Sequence, residues 1–516
     1  MRPKPSRQQV VTTSSVPAPI GGLNARDSIA AMPPTDAILV NNWFCKPTTL
    51  AVRGGSLDYA TGITGVVETL MVYNGLSASK MFAAAGANIY DVTALGAVGA
   101  PVVTGKTSAR WSYVNFGTVG AQALIAVNGV DTALYYNGTA WQPYSSGGIG
   151  AITSITAVGT LATVTMASPH GLQTGSTVTI SGATPAAYNG TWSITVTGAN
   201  TFTYVTLSAP GASASPVGTL VVSPNIQGVS STLLIYAASF KGRLYFIEKN
   251  SLRVWYLPAA QLGGTAAVFD MSSVFKLGGH LVAMQSWNVD TVSGPNDYFA
   301  FFSNTGEVVV YTGYDPTQSS TWNLVGAFRI GRIAGPRAVT KVGSDLYVVT
   351  VDGVVPLSKA MLTDRSQTAY QVSDKIDNLI NSDVQVYANN FGWQLILYPV
   401  GGKIIVNVPK VENVMQIQYV CNTITGAWST FSGWNASCFE LMNDNLFYGK
   451  LGKVVQADVG NTDNGTAIIT DLKPAFSSFG LPAQNKQFTL VRPIFQLNGQ
   501  MGITSTLNVD FRDNAP

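Results

Sequence analysis

Runs of apolar and aromatic residues, each broken by a tight turn and followed by a β-branched run, recur along most of this chain. The clearest copies are residues 242–247 turning at Lys249-Asn250 into 252–256, and 345–349 turning at Asp352-Gly353 into Val354-Val355. Residues 445–448, turning at Leu451-Gly452 into Val454-Val455, read the same way. Further copies lie at 298–311, 393–406, 80–90 and 124–136. Asn-Gly, Asp-Gly and Gly-Gly occupy the turns because two-residue hairpin loops need positive φ, which those residues adopt at least cost. Three units lead into a tryptophan, at Trp141, Trp322 and Trp428, which reads as an outer strand. Seven such hairpins predict an all-β chain of four-stranded blades, a β-propeller of six or seven blades that hides its sheet edges by radial repetition. A series of β-sandwiches is the alternative arrangement of the same strands.

Two regions break the pattern. From 151 to 222 the composition shifts to Thr, Ser, Ala and Gly with almost no charge, yet alternation of period two persists, as in Ser176-Thr177-Val178-Thr179-Ile180. Linker-like flanks at 145–148 and 209–213 mark it as a small β-sandwich inserted in a loop, a place where added length costs little closure entropy. The opening residues 1–19 are polar and proline-bearing, which predicts an arm, and Thr35 before 36–43 predicts a short capped helix. The expected organisation is therefore an arm and docking segment over 1–60, blades over 61–150, the insert over 151–222, blades over 223–460, and a closing β segment over 461–516.

Composition narrows the function. Of 516 residues, 46% are hydrophobic and only 11% charged, which excludes wholesale disorder. The formal net charge of +3 is too small for the electrostatic footprint of a tight DNA binder. Cys45, Cys421 and Cys438 are too few and scattered for a disulfide framework, and neither an export signal nor a membrane-crossing run is expected.

Candidate chemistry is sparse. His170 and His280 stand apart, without the spacing of metal ligands, so neither a metal nor a cofactor is expected. A glycoside hydrolase would need two facing carboxylates, and Asp270, Asp290, Asp297, Asp315, Asp345 and Asp352 are the available ones, without a pair that spacing can name. Asn-Gly-Thr at Asn137, Asn189 and Asn464 reads as turn chemistry. Two basic groups, Lys241, Arg243, Lys249 and Arg253, and Arg329, Arg332, Arg337 and Lys341, are solvated strand faces or a wall facing DNA. No catalytic residue is expected.

The segment Gly21-Gly22-Leu23-Asn24-Ala25-Arg26-Asp27-Ser28, with Met32-Pro33-Pro34-Thr35-Asp36-Ala37, Asn41-Asn42-Trp43-Phe44 and Arg53-Gly54-Gly55, resembles the opening of tail nozzle proteins of short-tailed bacteriophages, also described as packaged-DNA stabilisation proteins. Lys473-Pro474-Ala475-Phe476-Ser477-Ser478-Phe479-Gly480, Lys486-Gln487-Phe488 and Val491-Arg492-Pro493 are similar to their C-terminal stretch. The insert, with His170-Gly171-Leu172 and Tyr188-Asn189-Gly190-Thr191-Trp192, resembles a small module of phage structural proteins. The resemblance implies a non-enzymatic virion tail subunit, a homo-hexameric tube beneath portal and adaptor proteins. Its implied neighbours are tail fibres, double-stranded DNA passing through without specific binding, and the host envelope during ejection. It implies about six repeats where the sequence shows seven hairpins. Leu23, Asn24, Arg26, Met32, Trp43 and Phe44 are the candidate adaptor-interface residues, with a cap on the propeller core as the alternative role of Trp43 and Phe44. A receptor- or glycan-binding propeller, or a glycan-degrading one, are the alternatives.

Overall fold

The apolar runs are continuous rather than alternating because both faces of each sheet are buried. In the strand Arg243–Glu248, Leu244 and Phe246 join one core cluster while Tyr245 and Ile247 join the next. In Gly294–Ser303, Phe299 and Phe301 face one way, and Ala300 and Phe302 the other. Period two thus feeds two separate cores at once. The computed structural model describes residues 13–119, 121–144, 150–170, 172, 174–222, 224–291, 294–362, 371–480, 486–497 and 502–508, with only the backbone over 289–291 and 294–296. Most of the expected arm (1–12), the linker at 145–148, Gly171 and the Asp290 side chain lie outside the described residues.

Among the described residues seven blades follow one another. Blade 1 holds the second half of Ser56–Asn74 with Ser79–Ala85 and Asn88–Asp91. Blade 2 runs from Ser112–Thr118 to Trp141–Pro143, blade 3 from Leu234–Phe240 to Ala267–Asp270, and blade 4 from Leu281–Thr291 to Trp322–Arg329, four strands each. Blade 5 has three strands, Val339–Val342, Asp345–Thr350 and Gly353–Pro356. Blade 6 runs from Gln394–Tyr398 to Trp428–Phe431, and blade 7 pairs Cys438–Met442 with Asn445–Ala457. The first strand of each blade touches the first strand of the next, and Cys438–Met442 returns to Ser56–Asn74, so the ring closes. All three predicted outer-strand tryptophans sit on outer strands and are buried.

Closure depends on one long strand. Ser56–Asn74 pairs with Asn445–Ala457 from Ser56 to Val66, then with Ser79–Ala85 from Val67 onward. Gly62 and Gly65, at φ of 83° and 96°, supply the change of course between the two blades, which a residue with a Cβ would resist. The expected boundary near residue 60 is therefore crossed by a continuous strand that belongs to the first blade and the last.

Two sequence expectations need correcting. Residues 36–43 are not a helix: Asp36–Asn41 and Trp43–Cys45 are strands. Asp36–Asn41 finds ladder partners on both sides, antiparallel to Asp471–Pro474 and parallel to Trp428–Phe431 at Asn41, and those bonds outweigh a local capping preference. Leu451-Gly452 is likewise no turn but a register shift inside the continuous strand Asn445–Ala457. The hairpin turns earlier, at Asn443 and Asp444, which both take positive φ. The helix Asp377–Tyr387, not anticipated from sequence, packs Ile380 and Val384 into the large core shared by blades 4 to 6.

The insert is a β-sandwich, as the alternation implied. A four-stranded sheet, with Ile152–Val158 and Leu161–Met166, faces a three-stranded one built on Thr177–Ala183. Ile155, Val164, Ile180, Phe202 and Leu220 form a core of their own. Between Asp131 and Lys241, a span that includes the whole insert, the chain has no Asp, Glu, Lys or Arg.

Candidate functional site

The N-terminal motifs that carry the resemblance and the start of the C-terminal one come together as a clasp on blade 6. Gly22 at φ 82° lies against the backbone of Trp428, where a Cβ would stand 2.5 Å from the carbonyl oxygen, so only glycine permits that approach. Asn24 ties the segment down. Its Oδ1 accepts from the amides of Arg26 (3.1 Å) and Asp27 (3.0 Å), and its Nδ2 donates to Asp36 (2.7 Å). Lys375 completes the knot with a 2.9 Å ion pair to Asp36. Asn42, Arg53 and Asp463 form a second knot. The buried Arg53 donates to Asn42 Oδ1 (2.9 Å), the Ser432 carbonyl (2.8 Å) and Asp463 (2.6 Å), and lies 4.9 Å from the Trp434 ring centre. Burial raises the Asp463 pKa, but Arg53 outweighs it and holds the carboxyl below the usual range.

The six candidate interface residues divide by burial. Leu23, Asn24, Met32, Trp43 and Phe44 are all buried. Leu23 and Trp43 belong to the largest core cluster, and Phe44 lies in the next one, 4.7 Å beneath the Lys403 ammonium. Arg26 alone is exposed, paired with Asp27 at 2.8 Å and with Asp374. Arg26 and Asn24 hold the Asp27 carboxyl at about 2. Trp43 and Phe44 thus pack into the propeller's own core, the alternative role that the sequence left open.

The second concentration of polar chemistry is the ring's own axis. Arg337, just before the first strand of blade 5, crosses to blades 1 and 2. Its guanidinium donates to the Glu68 carbonyl (2.9 Å), Thr69 Oγ1 (2.6 Å) and the Trp111 carbonyl (3.0 Å). Phe391 is sandwiched between Arg337 and Arg110, with guanidinium carbons 4.9 and 4.3 Å from its ring centre. Arg110 also pairs with Glu68 (2.9 Å) and Glu412 (2.5 Å). Burial depresses the Arg337 pKa and raises that of Glu440, and nearby opposite charge offsets both shifts. Tyr113, hydrogen-bonded to Glu440, is pushed well up by burial and by that carboxylate. Beside the Arg–Phe–Arg stack lies a cavity of about 200 Å³ lined by Arg110, Pro336, Arg337, Asn390, Phe391 and Trp393. A more open cup of about 280 Å³ is lined by Asn115, Ser239, Lys241, Ser286, Asn288 and Asp297. Arg337 thus links blade 5 to blades 1 and 2 by polar contacts.

The other sequence candidates disperse. Asp270 accepts from the Ser272 amide (2.9 Å) and Asp315 from that of Thr317 (3.1 Å), both local turn bonds. Asp345 accepts from the Ser358 amide (3.0 Å), and Asp297 pairs with Lys241. His170 is buried, its Nδ1 accepting from the Leu172 amide (3.0 Å) and its ring edge-on to Phe202. His280 uses its backbone amide to bond Asn304 (2.9 Å). All four members of the first basic group are engaged: Lys241 by Asp297, Arg243 by Asp315 (3.3 Å), Arg253 by Glu248 (2.8 Å), and Lys249 by the Gly129 carbonyl (3.2 Å). The three cysteines are buried, which raises Cys45 to about 11 and Cys421 and Cys438 to about 12. Among the described residues no group of three or more His, Cys, Asp or Glu is placed to hold a metal ion.

One titrating group stands out. Burial raises Asp377 to about 6 from an ordinary 3.8, against the 2.5 Å hydrogen bond that Ser373 donates and the Coulomb attraction of Arg26, with Asp374 and Asp352 adding to the rise. A raised folded pKa favours the protonated carboxyl, so its stabilising contribution is full below about 3.8 and disappears as pH climbs through about 6. Thermal melts across that window should show the wild type losing stability with rising pH, with a smaller slope in Asp377→Asn.

No family model and no curated protein matches this chain. Among solved structures it is similar to the crystal structure of BBS1N in complex with ARL6DN at 10% identity, over 81% of this chain and 100% of that one, with a TM-score of 0.30. It is also similar to BamB from Moraxella catarrhalis (9% identity, 78% and 96% covered, TM-score 0.33). A putative 6-phosphogluconolactonase from Bacteroides uniformis is a third (11%, 70% and 99%, TM-score 0.30). The chain is thus, on its own strand order and ring closure, an all-β propeller with an inserted β-sandwich.

Proposed function

We propose that this propeller is a wall subunit of a bacteriophage tail nozzle, a non-enzymatic protein whose copies together enclose the conduit that retains and then passes the genome. The observation that carries the reading is the clasp. The N-terminal segment and the start of the C-terminal one that resemble nozzle proteins are strand partners, Ala37 opposite Pro474 and Leu39 opposite Lys473. Residues from the two ends of the sequence are thus one structural unit. Two further features support a passive wall. Arg337 links blade 5 to blades 1 and 2 within one ring, and the passage belongs between copies rather than within one. The charge-free span between Asp131 and Lys241 also offers a surface on which phosphates find no fixed cation to bind. On this reading the chain belongs to the virion tail as a homo-hexamer in contact with portal and adaptor proteins, and has no catalytic role.

The polar cup at the blade 2 to 4 end favours one competitor, a receptor- or glycan-binding propeller, because Asn, Ser, Lys and Asp side chains can hydrogen-bond sugar hydroxyls. The mass of the purified chain, measured with and without adaptor protein, tests the first reading. A ring of about six copies is expected on that reading, and a strict monomer under every condition would overturn it. Binding of the purified chain to host cells with inhibition of phage adsorption would favour the competitor.

A further inference from the structure

Beyond Ala475 residues 486–497 and 502–508 belong to no helix or strand and to no core cluster. That segment is rich in large apolar side chains held in solvent: Leu490 is 81% exposed, Val491 61%, Ile494 89% and Leu497 47%. Phe488 has a ring neighbour in Phe479 at 5.4 Å, but Leu490 to Leu497 lie in no core cluster of the described residues. Burial of apolar surface is favourable, so leaving the run in water forgoes a large driving force.

The same chain presents an edge of matching length. Trp322–Arg329, eight residues long, is the outermost strand of blade 4 and among the described residues pairs on one side only, with Glu307–Gly313. Its Leu324 and Val325 are exposed, at 48% and 39%. Long apolar edges invite an added strand. The fold already adds strands in this way, since Asp471–Pro474, just upstream of the exposed run, pairs with Asp36–Asn41 on blade 6. Pro493 tolerates an edge position if its ring nitrogen faces away from the ladder, and that choice turns the amides of Leu490, Arg492 and Ile494 toward the partner strand.

We propose that residues 490–497 of one copy add as a strand to Trp322–Arg329 of a second copy, which makes the exposed tail the linker between neighbours around a ring. Donor and acceptor differ, so the contact is head-to-tail, the kind that generates closed rings when the rotation between copies fits. The proposal deepens the nozzle reading and rests on the chain assembling with itself.

Three preparations of the full-length chain test it by mass and sedimentation: the parent, Leu490→Asp with Ile494→Asp, and Leu324→Asp with Val325→Asp. Because the tail lies outside every core cluster, the first pair should leave the thermal midpoint unchanged while raising the concentration for half-assembly about a hundredfold, roughly tenfold for each buried side chain lost. The edge pair should do the same. Oxidising a mixture of Ile494→Cys and Val325→Cys chains should give heterodimers by non-reducing gel, whereas either alone should not, because the native cysteines are buried. A ring that survives both Asp pairs, or a mixture that gives no heterodimer, overturns the tail contact and leaves the nozzle reading standing. A monomeric parent overturns both.

Discussion

Arg337→Met is expected to cost about 3–5 kcal/mol of stability, because it removes the cation of a buried network and leaves the other members behind. The carbonyls of Glu68 and Trp111 and the hydroxyl of Thr69 each lose a donor, and Glu440 loses its nearby positive charge. Methionine fills much of the volume, so the loss would report polarity rather than a cavity. Adding Glu440→Gln should recover part of it, since the remaining acid is then neutral. The double-mutant cycle, read by denaturant unfolding, gives a positive coupling energy if the two groups act together across the axis. Additive losses would mean that Arg337 acts only through its bonds to blades 1 and 2.

Phe299→Ala should have an effect of similar size, about 3–5 kcal/mol, for a purely apolar reason. Phe299 is fully buried between blades 3 and 4, with ring centres of Phe240 and Tyr245 at 4.9 Å and Phe301 at 4.6 Å. Removing the ring leaves a cavity that stacked aromatics on fixed strands cannot close. Phe299→Leu should recover more than half of the loss, as it restores most of the volume. Unfolding curves for the three proteins check both figures, and a loss below about 1 kcal/mol for the alanine variant would mean the interface relaxes freely.

The blades were legible because the physical signal was local. Residues such as Asn128-Gly129 and Asp352-Gly353 announce their turns, and the runs on either side are apolar enough to be buried on two faces, so hairpin and sheet could be read together. Seven hairpins did become seven blades, although one was assembled differently: Asn445–Ala457 continues straight where Gly452 suggested a turn, because its far half pairs with a strand from the other end of the sequence. Non-local pairing likewise made a strand of 36–41, whose neighbours at 428–431 and 471–474 no local window contains. The helix Asp377–Tyr387 has few strong helix formers and is held by tertiary packing of Ile380 and Val384, which is invisible to propensity.

The clasp was legible as a cluster of residues, but the sequence left open whether Trp43 and Phe44 face a partner or cap their own core. Trp43, Phe44 and Leu23 have the chemistry of interface anchors, and only the positions of blade 6 decide that they are covered from within. Arg337 was one member of a loosely basic run in sequence. Its reach across the axis follows from the ring itself, which brings Glu68 and Trp111 opposite it.

The strand shared by the first blade and the last also sets a timetable for biosynthesis. Ser56–Asn74 leaves the ribosome early, but the partner for its first half, Asn445–Ala457, follows about 380 residues later. At 5–20 residues per second that is roughly 20–80 s during which this half of the strand waits without its blade 7 partner. The toroid is therefore an open arc for most of translation, and the moment of closure, not the folding of any one blade, is when the nascent chain stops offering a sticky edge to its neighbours.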